Sequence, residues 1–96
     1  MDGRRLKAIW TPQAQAELED GVNFIARDNI SAAIATEDRV LASAAGLRDF
    51  PNKGRARPDG RRELVVAATP FLLVYRVEHD SVLILRVWHT SREPQA

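Results

Sequence analysis

The sequence predicts an α+β fold in which an N-terminal strand and two helices precede a three-strand antiparallel meander. The runs Leu64–Ala67, Phe71–Val77 and Val82–Trp88 are rich in Val, Ile, Leu and aromatic residues, which favour strands. Only Thr69-Pro70 and residues 78–81 separate these runs, and such short connections join antiparallel neighbours. Helical periodicity is confined to the first half, and helices that do not alternate with strands are typical of α+β domains.

The first element is a short strand, Leu6–Trp10, which must join the sheet because an isolated strand is not stable. Thr11 is placed to cap the first helix, and Pro12 suits its first turn, where no N–H is needed. An apolar stripe at helical spacing predicts the buried face of this helix. It consists of Ala14, Leu18, Val22 and Ile25.

The second helix is predicted from about Ile30 to Leu47, with Asn29 or Ser31 as its cap. Its predicted buried stripe contains Ala33, Val40, Ala44 and Leu47, widened by Ile34 and Leu41. Because the break between the helices is short, they should form an antiparallel hairpin packed on one face of a twisted sheet. Residues 52–60 are predicted to form a turn-rich loop that leads into the meander.

Length and composition indicate one small domain, residues 1–96, with 45% hydrophobic residues. No apolar run is long enough to span a bilayer, and no apolar segment follows the basic N-terminus as in a signal peptide. The lack of a spanning run predicts no membrane contact. The absence of cysteine excludes disulfides and thiolate zinc sites, and it suits a cytoplasmic protein. The two histidines lack carboxylates at ligand spacing, so we expect neither a metal nor another cofactor.

Positive charge is concentrated in one segment, although the net charge is only +1. This segment contains Lys53, Arg55, Arg57, Arg61 and Arg62 against the single acid Asp59. It predicts contact with a phosphate backbone or an acidic partner, and a solvated loop is the alternative. Arginines on the strands must face the open side of the sheet or find partners, so that side is predicted to be basic.

Acid–base cleavage of RNA is the chemistry that these residues could perform. His89 could exchange a proton near neutral pH, and Arg62 and Arg86 could neutralise charge on the phosphate. The residues predicted to bind the RNA backbone are Lys53, Arg55, Arg57, Arg61 and Arg92. Pairing of the arginines with acids such as Glu63 is the structural alternative. Strict alternation also places Arg86 and His89 on opposite faces of the last strand unless it bulges near Trp88.

Several short motifs in order resemble the RelE/ParE superfamily, the toxins of bacterial type II toxin–antitoxin modules. They are Trp10-Thr11-Pro12-Gln13-Ala14 with Leu18, Leu47 and Phe50-Pro51 before Gly54-Arg55, Arg62-Glu63-Leu64, Thr69-Pro70-Phe71, Val74–Val77 and Ile84–His89. The resemblance implies two helices packed on a twisted antiparallel sheet. It also implies a partner antitoxin that wraps the toxin and carries all contact with operator DNA.

The resemblance leaves three activities open. RelE-like members cut mRNA on the ribosome without a metal, and in this sequence Arg62, His89, Lys53 and Arg55 match their basic residues. Thr90-Ser91 stand where a catalytic tyrosine is expected, however, and ParE-like members that lack the catalytic set poison DNA gyrase. The expectation is a ribosome-dependent mRNA endonuclease. The alternatives are a gyrase poison and a degenerate toxin that only binds its antitoxin.

Overall fold

Two helices and five strands make up residues 5–90, the part of the chain that the computed structural model describes. The elements are β1 (Lys7–Trp10), α1 (Pro12–Ala26), α2 (Ile30–Gly46), β2 (Arg55–Ala56), β3 (Arg62–Val65), β4 (Phe71–Glu78) and β5 (Ser81–His89). The predicted α+β fold, with its helix hairpin and C-terminal meander, is confirmed. The two-residue strand β2, within the segment predicted to be a loop, is an addition to it.

The sheet has the strand order β1-β5-β4-β3-β2 and is mixed rather than wholly antiparallel. The strand β1 runs parallel to β5, with Lys7 opposite Ser81 and Trp10 opposite Ile84, whereas all other neighbours are antiparallel. The prediction of a fully antiparallel sheet is therefore wrong at this edge. The reason is that β1 and β5 are distant in the chain, so no tight hairpin requires them to run in opposite directions.

Both helices begin at the caps that the sequence predicts. The Thr11 hydroxyl accepts the Ala14 N–H at 3.1 Å, and Pro12 occupies the first turn of α1. The Asn29 side-chain oxygen accepts the Ala32 N–H at 2.9 Å at the start of α2. Each side chain satisfies a backbone donor that would otherwise lack a partner at the helix N-terminus.

The core lies between the helix pair and one face of the sheet. Its members include Leu18, Val40, Leu47, Phe71, Leu73, Tyr75 and Ile84, all buried. The prediction that Ile34 and Leu41 widen the buried stripe of α2 is wrong, because these side chains are 56% and 44% exposed. At roughly 100° of rotation per residue, both lie about 100–120° from Val40 and about 60–80° from Ala44, and these two residues point into the core.

A register shift in the longest pair of strands controls which side chains of β5 face the core. Tyr75 pairs with Ile84 and Val74 pairs with Arg86, so Leu85 is one extra residue on β5. Such a bulge reverses the alternation beyond it. Val87 therefore joins Ile84 in the core, and Arg86 lies on the face that no helix covers.

Candidate functional site

The basic segment from Lys53 to Arg62 divides into exposed and anchored cations. Lys53 is exposed, and the side chain of Arg55 is 85% exposed and only 3.9 Å from a Glu63 carboxylate oxygen. Arg57 and Arg61 are about three-quarters covered and paired with acids. Only part of the predicted RNA-binding set is thus presented to a large anionic partner.

Arg61 is held by Asp59 across the turn that leads into β3. Its guanidinium lies 2.7 Å from Asp59 Oδ2, and its backbone N–H donates to Oδ1 at 3.1 Å. These hydrogen bonds hold the pKa of the Asp59 carboxyl at about 2. Asp59 therefore stays ionised throughout the physiological range and neutralises Arg61.

Trp88 is the centre of a cluster on the open face of the sheet. The guanidinium carbons of Arg57 and Arg86 lie 5.9 and 5.3 Å from the centroid of its ring. Arg57 also pairs with Glu63 on β3, so it fastens the basic segment to the sheet. The Trp88 Nε1 atom is buried and has no hydrogen-bond partner among residues 5–90. The sequence predicted that the open face of the sheet is basic. In this cluster, however, Glu63 pairs with Arg57 and Glu17 pairs with Arg86, so acids neutralise both arginines.

Glu17 on α1 binds both the side chain and the backbone of β5. One carboxylate oxygen accepts from Arg86 Nε at 2.9 Å and from Arg86 Nη2 at 2.7 Å, and the other accepts the Val87 N–H at 2.8 Å. The paired part of β1 ends at Trp10, opposite Ile84, so Val87 lies beyond the strand that covers this edge. Glu17 thus replaces a neighbouring strand, and Arg86 supports that link.

Arg62 lies on the helix-facing side of β3, where it pairs in register with Tyr75. Its guanidinium donates to the Gly54 carbonyl at 2.7 Å and to the Asn52 carbonyl at 3.3 Å. The Tyr75 hydroxyl binds the same loop, donating to Pro51 and accepting the Gly54 N–H. Burial raises the pKa of this hydroxyl, so it stays protonated. Both side chains hold the loop between α2 and β2.

His89 lies at the opposite end of the same face. It pairs in register with Phe71, and the two rings meet edge to face with centroids 5.5 Å apart. Arg86 lies on the other face of β5, as the sequence alternation predicts for these two residues.

The three predicted catalytic residues are therefore not brought together. The partners of Arg62 and His89 on β4 are four residues apart, and the two side chains belong to strands on either side of β4. Standard strand spacings give about 13 Å along and about 10 Å across, hence roughly 16 Å between their positions. Arg86 is separated from both by the thickness of the sheet.

Three remaining points concern Arg92, metal binding and membrane-spanning helices. Arg92, predicted to bind RNA, lies outside residues 5–90. Within that range, no three His, Asp or Glu side chains gather where they could hold a metal ion. The same residues contain no helix long and apolar enough to cross a membrane.

Sequence reasoning missed Glu17, Tyr75 and Trp88. Glu17 was interpreted only as an acid near the helix N-terminus, because a contact 69 residues away in sequence leaves no local signal. Trp88 had a usable signal, since it follows Arg86 by two residues on a strand and so shares a face with it.

Comparison with known proteins gives one family. Residues 8–94 match the family model described as ParE toxin of type II toxin-antitoxin system, parDE. Y4kP of Sinorhizobium fredii, whose name describes it as a toxin, is 32% identical over 93% of each chain. Toxin RelE2 of Caulobacter vibrioides is 31% identical over 90% of this chain and 97% of its own length.

A solved structure of the chromosomal ParDE toxin–antitoxin system of P. aeruginosa has the same fold. The two chains superpose with a TM-score of 0.76 at 24% sequence identity. The superposed part covers 88% of this chain and 96% of the chain from P. aeruginosa.

Proposed function

This chain belongs to the ParE toxin family of type II toxin–antitoxin systems, and we propose that it arrests growth by binding DNA gyrase rather than by cutting mRNA. The observation that carries the proposal is the separation of Arg62, Arg86 and His89. Acid–base cleavage requires the proton-transfer groups and the charge-stabilising cations to reach one phosphate together. Residues roughly 16 Å apart and on different faces of a sheet do not meet that requirement.

The contacts of these residues support the same conclusion. Arg62 binds two loop carbonyls, Arg86 binds Glu17, and His89 packs against the Phe71 ring. Each contact stabilises a junction between elements of the fold. A toxin that works by binding needs a stable surface and no catalytic group. Structural roles for Arg62, Arg86 and His89 are therefore compatible with a toxin of this kind.

The mRNA endonuclease is the second candidate, and one observation favours it. Lys53 and Arg55 project from the basic segment with exposed side chains, where they could contact an RNA backbone. The relative that bears the RelE name is 31% identical to this chain. In this hypothesis the ribosome and the mRNA would have to supply the proton-transfer and charge-stabilising groups, because the dispersed residues of this chain do not reach one phosphate together.

Purified protein added to gyrase and plasmid DNA tests the proposal. We expect inhibited supercoiling and trapped cleavage complexes, and we expect mRNA isolated after induction to show no new cuts by primer extension. Cuts between codon positions together with normal supercoiling would establish the endonuclease instead. Normal growth despite soluble protein would favour a degenerate toxin that only binds its antitoxin.

The variant His89→Gln separates the two candidates within one protein. We expect it to retain growth inhibition and gyrase poisoning, because the proposal assigns His89 a packing role against Phe71. The endonuclease hypothesis requires toxicity to be lost. A melting temperature close to that of the wild type, measured by circular dichroism, is the control for folding.

A further inference from the structure

The loop between α2 and β2 presents an exposed aromatic side chain. We call residues 47–54 the α2–β2 loop. Phe50 is 68% exposed, whereas the other two phenylalanines, Phe24 and Phe71, are 49% and 2% exposed. Phe50 and Pro51 lie beside an open hollow of about 590 Å³, which is lined by residues 49–53. Aromatic residues, phenylalanine included, are enriched in the interfaces between proteins.

The backbone of the α2–β2 loop is held firmly by the rest of the fold. The Phe50 N–H donates to the Gly46 carbonyl at the end of α2, and the Phe50 carbonyl accepts the Lys53 N–H, both at 3.1 Å. Arg62 and Tyr75 together bind three carbonyls and one N–H of the same loop at 2.7–3.3 Å. Phe50 is therefore held in position before a partner arrives, which reduces the entropy lost on binding.

Gly54 allows the loop to approach the sheet closely. A Cβ at this position would lie 2.6 Å from the Tyr75 hydroxyl and 2.8 Å from the Glu63 carbonyl oxygen, so any other residue would force the loop away from β3 and β4. The position of the loop against the sheet is thus fixed by packing as well as by hydrogen bonds.

Charges around the hollow indicate what the loop binds. Asp49, the carboxylate among the lining residues, is paired with Arg5 at 2.9 Å. Lys53 is exposed, and within residues 5–90 no acid forms an ion pair with it. The side chain of Arg55, two residues further on, is 85% exposed. The uncompensated charge is therefore positive, which favours an acidic occupant and disfavours a second copy of the same loop.

The remaining cations of the basic segment favour a protein over a nucleic acid as this occupant. Binding to a phosphate backbone depends on the number of phosphates that lysines and arginines neutralise. Arg57 and Arg61 are paired with acids, and Arg62 is bound to loop carbonyls, so most of the basic segment is engaged within the fold. An exposed aromatic residue with few free charges around it matches the apolar centre and polar rim of a protein–protein interface.

We propose that the α2–β2 loop is the surface that binds the target protein, with Phe50 seated in an apolar pocket of the target and acids at the edge of that pocket paired with Lys53 and Arg55. The inference rests on the proposed function, in which the target is gyrase. It goes further by naming the surface, and it gives the exposed cations of the basic segment a protein partner instead of RNA.

Two variants with matched controls test the proposal. Phe50→Ala removes the aromatic side chain, and Lys53→Glu reverses the charge beside it. Phe24→Ala and Arg27→Glu make equivalent changes at exposed residues near the end of α1. Because α1 and α2 form a hairpin, these controls lie at the opposite end of the helix pair from the α2–β2 loop.

Surface plasmon resonance with the gyrase holoenzyme measures the affinity. We expect Phe50→Ala and Lys53→Glu each to bind at least about tenfold more weakly than the wild type, and both controls to stay within about twofold. Cells that express either loop variant should grow. The antitoxin encoded beside this chain should bind both loop variants within about twofold of the wild type. Melting temperatures close to that of the wild type are the control for folding.

The wild-type chain separates a failure of the inference from a failure of the proposed function. If the wild type binds and poisons gyrase and Phe50→Ala binds equally well, the inference is overturned while the gyrase target stands. That result includes the case in which only Lys53→Glu is weakened, as a contact with nucleic acid would produce. An equal loss in Phe24→Ala, or an equal loss of affinity for the antitoxin, would also overturn the inference. A wild-type chain that leaves gyrase unbound would overturn the proposed function and the inference with it.

Discussion

Removing the Glu17 carboxylate tests whether Arg86 is a structural residue. Replacement by alanine deletes three hydrogen bonds of 2.7–2.9 Å and leaves both the Arg86 guanidinium and the Val87 N–H without this acceptor. Hydrogen bonds to charged groups contribute about 1.5–3 kcal/mol when buried, and an unsatisfied donor costs a similar amount. Glu17 and Arg86 are 22% and 34% exposed, so solvent screens part of this energy. We expect Glu17→Ala to lower the free energy of unfolding by about 2 kcal/mol.

Urea denaturation followed by circular dichroism measures this loss. Glu17→Gln keeps an acceptor for the Val87 N–H but removes the charge, so about half of the loss is expected. A double-mutant cycle with Arg86→Ala should give a coupling energy of about 1 kcal/mol. Glu19→Ala is the matched control, because Glu19 is exposed on the same helix, and its effect should stay within about 0.5 kcal/mol.

A coupling energy near zero would refute this reasoning. The contact between Arg86 and Glu17 would then contribute little to the free energy of unfolding. The alternative that Arg86 binds phosphate would be favoured. A clear coupling together with retained toxicity in Arg86→Ala would place the residue firmly among those that maintain the sheet edge.

Two further predictions concern packing and pH. A Cβ at Gly21 would lie 2.5 Å from Phe71 Cζ, and Phe71 is buried, so Gly21→Ala should lower stability by about 1–2 kcal/mol despite its better helix propensity. A Cβ at Gly46 meets no atom within 4 Å, so Gly46→Ala should raise stability by about 0.5 kcal/mol. Urea denaturation measures both changes, and a stabilised Gly21→Ala would contradict the close approach of Gly21 to Phe71. The Asp59 pKa is about 2 in the folded chain against 3.8 ordinarily, so its contribution to stability is present above pH 3.8 and is lost as pH falls through 2. NMR titration should show this pKa raised in Arg61→Ala, which loses the guanidinium but keeps the backbone N–H donor, and an unchanged value would show that the guanidinium does not hold the carboxylate ionised.

Much of the fold could be predicted because the relevant chemistry is local. Thr11 and Asn29 cap the helices through atoms three residues away, and helical spacing correctly placed Leu18 and Val40 in the core. The site was less accessible to such reasoning. The contacts of Arg62 and Arg86 join residues 8 to 69 positions apart, and no spacing rule connects them.

The sequence by itself determined the number and order of the main elements, their caps and the basic character of residues 53–62, since these depend on neighbours along the chain. Only the tertiary structure decided the direction of β1 and the side of the sheet on which each arginine lies. The clearest case is the single extra residue Leu85 on β5. Strict alternation from Val82 and Ile84 would carry Arg86 into the core, where an unpaired charge is costly. The bulge turns Arg86 outward to Glu17 and returns Val87 to the core, because only the three-dimensional pairing with β4 and α1 satisfies both side chains.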